Sequence, residues 1–373
     1  MAEQRVETID VFRGIAILMV VLFHYTARLP AEVLHVTGPA APQFAYGWDG
    51  VYFFYLISGY CIYLTLERSA TVPLFFARRI SRIYPAFVAA LVILFALQFV
   101  IVLPSSEVAH YREQTPGVID LVLNFFLIGE IGEWVNGSFW SIAVEVKFYV
   151  LVALMALLIK DRALLARLFA WLSLAGAAVW LVAVELQPGN TGAFALQSLL
   201  KFLAIAPYLP FFAVGILGRL RYKGALWTTP YLIATSAAAV LVIWVQTYNG
   251  TAAGDLETPT LSALVFTVTL AMFSWFVTGR PIPSLPVATP LLAQIGLLSY
   301  SWYLLHEPLG YALLLQLNPL LPNTVAIGIT MLVTLGLSWL FAQIFEWRFR
   351  KPVETLALRL LDWRSGAESP KTA

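Results

Sequence analysis

Charge is what this chain has least of. Only 12% of its 373 residues are Asp, Glu, Lys or Arg, 60% are hydrophobic, and the mean hydropathy is +0.80. Soluble domains carry about twice that share of charge, so the composition excludes an ordinary water-soluble globule and calls for lipid as the solvent. Cysteine is almost missing as well. Cys61 is the single one, which excludes an intrachain disulfide, and its place in an apolar run reads as a packed, inert thiol. No Gly-x-Ser-x-Gly nucleophile elbow occurs, no repeat of solenoid length recurs, and the two halves show no convincing similarity. No small-residue cleavage site follows the first apolar run, which therefore reads as an uncleaved helix. The basic residues are scattered over short connecting segments, so nucleic acid is not an expected partner.

What the chain has in quantity is apolar sequence. A spanning helix needs roughly 20 mostly apolar residues, because about 30 Å of hydrocarbon is crossed at about 1.5 Å per residue. Runs of that kind lie at 11–29, 50–67, 83–103, 138–159, 164–185, 196–218, 230–248, 260–278, 290–315 and 323–346. They predict an all-α polytopic membrane protein of about ten transmembrane helices. The apolar run inside 117–130 is too short to span and reads as a re-entrant or interfacial piece.

An even number of spans puts both termini on one side, and the Lys/Arg distribution identifies that side. With the N-terminus cytoplasmic, 18 of the 23 basic residues fall on inner segments, whereas Arg28, Arg112 and Lys201 fall on outer ones. The acids lean outward, with Glu107, Glu113, Asp120, Glu130 and Glu133 in one outer loop. The expected organisation is a transmembrane domain over 1–346 and a cytoplasmic tail over 347–373. In that tail Leu356, Leu360 and Leu361 would rest a short helix on the inner membrane surface.

Ionisable groups inside spans are costly and mark functional sites. Here they are Arg13 and His24 in span 1, Glu145 and Lys147 in span 4, and His306 and Glu307 in span 9. Arg13 and His24 stand eleven residues apart, about three helical turns, which puts them on one face roughly 16 Å apart along the axis. Counting from the span ends places His24, Glu145 and His306 in the outer half of the membrane. One site built from all three is therefore expected, with a histidine as general base and the carboxylate orienting it. A snorkelling arginine and a structural histidine would account for the first pair as well. At the inner mouth between spans 2 and 3, Arg79 and Arg82 are spaced to point the same way and clamp a polyphosphate. Positive-inside anchoring accounts for them too. No metal-ligand set is expected.

Taken together, these residues resemble the acyltransferase 3 family of membrane-bound acyltransferases. The first-helix signature is similar to Arg13 and His24 with ten residues between them, following Asp10-Val11-Phe12. The second-helix motif resembles Gly47-Trp48-Asp49-Gly50-Val51-Tyr52-Phe53-Phe54-Tyr55-Leu56-Ile57-Ser58-Gly59, and the arginine motif resembles Arg79-x-x-Arg82-Ile83-Tyr84-Pro85. Ser138-Phe139-Trp140-Ser141 with Glu145 and Phe148-Tyr149, and Tyr303-Leu304-Leu305-His306, match two further elements.

The resemblance implies an acyl-coenzyme A donor, most simply acetyl-CoA, entering from the cytoplasm, with no permanently bound cofactor. It implies donor-binding roles for Arg13, Arg79, Arg82 and Ser58, and catalytic roles for His24, Glu145 and His306. The implied acceptor is a hydroxyl of an extracytoplasmic glycan or glycolipid, and the implied location is the plasma membrane, the inner membrane of a bacterium. The family often has an acid directly after the Gly-Val of the second motif, where this chain has Tyr52. Asp49 lies nearby, and neither receives a role. No fused esterase-like domain is expected. A secondary transporter or flippase using the His/Glu set as a proton relay is the competing reading. It leaves the paired arginines unexplained. Oligomeric state is not legible in the sequence.

Overall fold

The structure, a computed structural model, describes residues 2–28, 44–100, 116–186, 191–252, 254–280 and 285–362. The expected ends of spans 11–29 and 83–103 lie outside the described residues, as do Glu107, Arg112, Glu113, Arg364 and Lys371. Thirteen α-helices follow in order: α1 Ala2–Thr26, α2 Gly50–Glu67, α3 Val72–Leu97, α4 Val118–Phe125, α5 Phe139–Leu158, α6 Arg162–Glu185, α7 Thr191–Phe202, α8 Leu209–Tyr222, α9 Thr229–Gly250, α10 Glu257–Val277, α11 Ala288–Leu317, α12 Asn323–Phe341 and α13 Arg348–Asp362. No strand occurs among the described residues.

Eight helices among the described residues are long and apolar enough to cross a membrane, or nine if α7 and α8 form one bent span. The difference from the expected ten is α11. At 30 residues it is the longest α-helix among the described residues, but Gln294, His306, Glu307 and a run of tyrosines and serines lower its hydropathy. Outward-facing side chains on the long helices are apolar; Leu154, Val182, Ile233, Val268 and Leu332 are each more than half exposed. Such a surface suits lipid and would aggregate in water.

Three expected spans are redrawn. The run 196–218 is broken: α7 and the segment leading into α8 meet at 54°, with Ile205 at φ +48°. Pro207 and Pro210 cause this, since each lacks the N–H that a continuing helix would use. Next, α3 starts eleven residues before the expected span, because Thr71 caps it by accepting from the Leu74 N–H at 3.3 Å. The arginine motif therefore lies on α3 itself, within one rigid element. Finally, α12 runs through a π-helical turn, Ala342–Trp347, into α13, and α13 packs along α3. Arg78 Nε lies 3.6 Å from Glu354 Oε1 across that contact.

The helix pair that positions the rest is α1 and α11, which run parallel in close contact. Gly14 and Gly296 make that approach possible. A Cβ on Gly296 would come within 1.8 Å of the Asp10 carbonyl oxygen, and one on Gly14 within 2.1 Å of that of Leu292. A second seam joins α2 to α8, where a Cβ on Gly59 would meet the Phe212 carbonyl at 2.2 Å and one on Gly215 that of Leu56 at 2.1 Å. Without a hydrophobic drive between helices in lipid, small residues that let backbones touch are what hold such pairs together.

Short α4, eight residues long, is too short to span, as expected for the run inside 117–130, and exposes Val118, Ile119, Val122 and Phe125. The loop after it is tied back by two side chains. Asp120 accepts from the Gly117 N–H at 2.8 Å and the Glu133 N–H at 2.9 Å. Buried Asn124 donates to the Asp120 and Glu133 carbonyls, each at 2.8 Å, and accepts from the Val135 N–H at 3.1 Å.

Two predictions follow from this packing. Gly296→Ala forces α1 and α11 backbones apart and is expected to lower the detergent-solubilised Tm by several degrees. Gly336→Ala on α12, where a Cβ meets nothing within 4 Å, should leave Tm unchanged or raise it through helix propensity worth about 1 kcal/mol. Equal shifts would refute the seam. The N–H donors of Glu133 and Gly117 hold the Asp120 carboxyl below its usual value. A depressed folded-state value means its stabilisation is present above the unfolded value and is lost as pH falls through the folded one. Pepsin cleavage of the 117–136 loop, normalised at each pH to cleavage of an unstructured reference peptide, should therefore rise as pH is lowered from about 5 to about 2, whereas Asp120→Asn should start at a high normalised rate and change little.

Candidate functional site

Two cavities lie back to back between α1, α2, α3, α5 and α11. The first lies beside Arg13 on α1 and Arg79 and Arg82 on the first half of α3, nearer the end of the bundle where α1 begins; the second lies where α1 finishes, beside His24 and Arg28.

Arg13, Arg79 and Arg82 all line the first cavity, together with Ser58, Cys61, Glu145 and Tyr149. Helical spacing on α3 aims Arg79 and Arg82 the same way, and the α1–α11 packing brings Arg13 alongside them. Arg13 Nη1 donates to Asp10 Oδ1 at 3.2 Å. Arg79 is buried, 6.0 Å from the Tyr149 ring centroid, with Nη2 donating to the Cys61 carbonyl at 3.5 Å. Its Nε is buried with no partner among the described residues. A buried guanidinium donor left unmatched is costly, and an anionic oxygen entering the cavity would satisfy it.

Glu145 corrects the expectation that it joins the two histidines. It faces the arginine cavity, where Oε1 accepts from Ser58 Oγ at 2.6 Å and from the Tyr149 hydroxyl. The depth count failed because the start of α5 already stands level with the histidines, where Ser138 meets Glu307. The loop before it dips into the bundle, where Asn136 Nδ2 donates to the Leu304 carbonyl at 2.9 Å and accepts, through Oδ1, from the Ser138 N–H at 3.0 Å. Glu145, seven residues beyond Ser138, is thus about 10 Å further along the helix.

The carboxylate that does sit with the histidines is Glu307. Ser138 Oγ donates to its Oε2, and that oxygen lies 3.9 Å from His24 Nε2. His24 donates from Nδ1 to the Val20 carbonyl at 2.8 Å, which leaves Nε2 of the neutral ring as the free base facing Glu307 and the cavity. The His306 ring stands edge-on to that of His24, with centroids 4.7 Å apart at 89°. Its Nδ1 donates to the Tyr303 carbonyl at 2.9 Å, while the Tyr25 hydroxyl donates to the His306 carbonyl at 2.8 Å. Arg28, Trp48, Tyr52 and Trp140 complete the walls of the second cavity.

Structure thus brings His24 and His306 together, gathers Arg13, Arg79, Arg82 and Ser58 elsewhere, and moves Glu145 from the first group to the second. Glu307 was visible in the sequence as an intramembrane acid, but only the tilt and register of α11 show that it faces His24. Ser138 belongs to the element Ser138-Phe139-Trp140-Ser141, but neither it nor Asn136 is ionisable, so the sequence did not point to their bonds with Glu307 and the Leu304 carbonyl. Asp49 turns away from the second cavity, accepting from Ser262 Oγ at 2.9 Å on α10, so it does not replace the acid that the second-helix motif lacks. Tyr52 occupies that wall instead and donates to Gln246 Oε1.

Comparison with curated proteins and with solved structures finds no match. A family model described as an acyltransferase domain matches residues 6–343. That stretch holds both cavities and every residue named around them, and with it the chain belongs to the acyltransferase 3 family of membrane acyltransferases.

Proposed function

We propose that this membrane acyltransferase takes an acyl group, acetyl in the simplest case, from acyl-CoA entering at the cytoplasmic face and passes it to a hydroxyl of an extracytoplasmic acceptor, a glycan or glycolipid. The observation that carries this reading is the pairing of an arginine-lined cavity with a histidine-lined one in a single bundle. Arg13, Arg79 and Arg82 would meet the donor's phosphates through paired, charge-assisted donors. Ser58 and Tyr149 fix the Glu145 carboxylate within the same cavity, where it offsets part of the positive charge of the three arginines.

At the other end, His24 Nε2 would take the proton of the acceptor hydroxyl as its oxygen attacks the thioester carbonyl. Glu307 would stabilise the imidazolium that forms, as an orienting carboxylate does beside a catalytic histidine. The carbon–sulfur bond then breaks, the acyl group stays on the acceptor oxygen, and the proton passes to the departing thiolate. His306, with Nδ1 committed to the Tyr303 carbonyl, fixes the position of the His24 ring. The aromatic walls formed by Trp48, Tyr52 and Trp140 give flat apolar faces suited to a sugar ring. A transporter would need neither a thioester nor the arginines, and mixing the purified protein with acetyl-CoA separates the two readings, because only the acyltransferase binds or slowly hydrolyses it.

His24→Ala should reduce transfer by about 10²- to 10⁴-fold with expression and insertion intact, and Glu307→Gln by about 10-fold or more, roughly 1.4 kcal/mol of barrier. His306→Ala should cost less than either. Wild-type turnover in His24→Ala would sink the base assignment. For the donor side, Arg79→Ala and Arg82→Ala should raise KM for acetyl-CoA about 10- to 100-fold, the loss of a charged hydrogen bond. They should keep kcat within a few fold, because these contacts are made equally in ground and transition states. Lysine should rescue only partly, since it keeps the charge and loses the fork. Normal donor binding in both alanine variants would leave membrane anchoring as the role of the two arginines.

A further inference from the structure

Of all the residues around the two cavities, only Val51 and Tyr303 line both. Tyr303 is the larger, and its attachment is unusual for a cavity wall. The ring belongs to α11, while the hydroxyl is held from α5, 2.6 Å from Ser141 Oγ and 3.3 Å from the Ser138 carbonyl oxygen. Ser141 in turn donates to that same carbonyl at 2.9 Å. Phe54, edge-on with centroids 6.1 Å away, and His306, at 5.5 Å, flank the ring. With the Ser141 proton committed to the Ser138 carbonyl, a single hydroxyl proton of Tyr303, shared between Ser141 Oγ and that carbonyl, is the hydrogen-bonded tie between the ring and α5. Interhelical bonds of this kind in a bilayer are weak, so donor binding could release it.

We propose that Tyr303, backed by Val51, is a latched partition between the two cavities. With the ring hydrogen-bonded to α5, the arginine cavity is closed to whatever fills the histidine cavity. The acyl-bearing end of a donor reaches His24 only when the ring swings off Ser141. The consequence is that a thioester resting in the first cavity is kept from water on the far side until the acceptor site is engaged. The latter part rests on the function proposed above. The partition itself does not.

Cys61, expected to be a packed and inert thiol, is instead half-buried and lines the arginine cavity, and as the single cysteine of the chain it supplies a native reporter. Membrane vesicles of both orientations, carrying the full-length protein, are treated with a charged, membrane-impermeant methanethiosulfonate, and labelling of Cys61 is timed from each face without any donor. In the wild type, labelling should proceed from the face where α1 begins and be at least about tenfold slower from the other. Tyr303→Ala should abolish most of that difference. Tyr303→Phe, which keeps the ring and removes the latch, should fall between the two. Val51→Ala opens the smaller half of the wall and gives a second test if Tyr303→Ala fails to insert; it too should speed labelling from the far face. Equal labelling from both faces in the wild type, or unchanged sidedness in Tyr303→Ala and Val51→Ala, would overturn the partition. A separate arm adds acetyl-CoA to the wild type. Protection of Cys61 supports the donor site; absence of protection counts against that site while leaving the sidedness result, and hence the partition, to stand.

Discussion

The backbone contact between α1 and α11 is the constraint on which the rest of this protein depends. Gly14 and Gly296 let two parallel helices touch, and ten residues beyond each glycine stand His24 and His306. Equal lengths of helix, about 15 Å, carry both imidazoles to the same depth from a shared starting point. The ring contact at 4.7 Å, the approach of Glu307 to His24 at 3.9 Å and the bond from Tyr25 to the His306 carbonyl are all consequences of that register. Any side chain larger than hydrogen at the seam would shift one helix along or away from the other and unmake the three together.

Polar groups are few in this chain, and the bundle concentrates them in a narrow column. Lipid offers no hydrogen bonds, so each buried polar group has to find a partner in the protein or be left for a ligand. Most do find one. Ser301 donates to Glu346 at 2.6 Å, Tyr300 to the Ile83 carbonyl at 2.9 Å and Trp302 Nε1 to Thr334 at 3.0 Å. Some find none among the described residues, including Gln98 Oε1 and Trp180 Nε1 far from the cavities; two others are Arg79 Nε, on a residue that lines the arginine cavity, and His306 Nε2, on the ring packed against His24.

Glu145 and Glu307 show how environment divides labour between identical groups. Glu145 is fastened by hydroxyls from Ser58 and Tyr149 among three arginines. Glu307 is fastened by Ser138 and faces an imidazole. A single site with one acid and two histidines was a reasonable expectation from spacing along the chain. It failed on one point, the depth at which α5 begins. The loop that Asp120 and Asn124 tie down lowers Ser138 into the bundle, and every later residue of α5 is displaced with it. The arginine motif is a milder case: its residue spacing was read correctly, but the Thr71 cap places it on the helix instead of ahead of it.

Much of this protein was legible before its fold was known. Long apolar runs and scarce charge fix an all-helical membrane architecture, since hydrocarbon leaves a backbone few other ways to satisfy its hydrogen bonds. Helical periodicity puts Arg13 and His24 on one face, and Arg79 with Arg82, because those relations lie within single helices. Relations between helices were not legible in that way. Which acid meets which histidine and how Tyr303 comes to stand between two cavities depend on contacts between residues far apart in sequence. Those contacts are set by glycine seams and buried hydrogen bonds whose geometry exists only once the helices have packed.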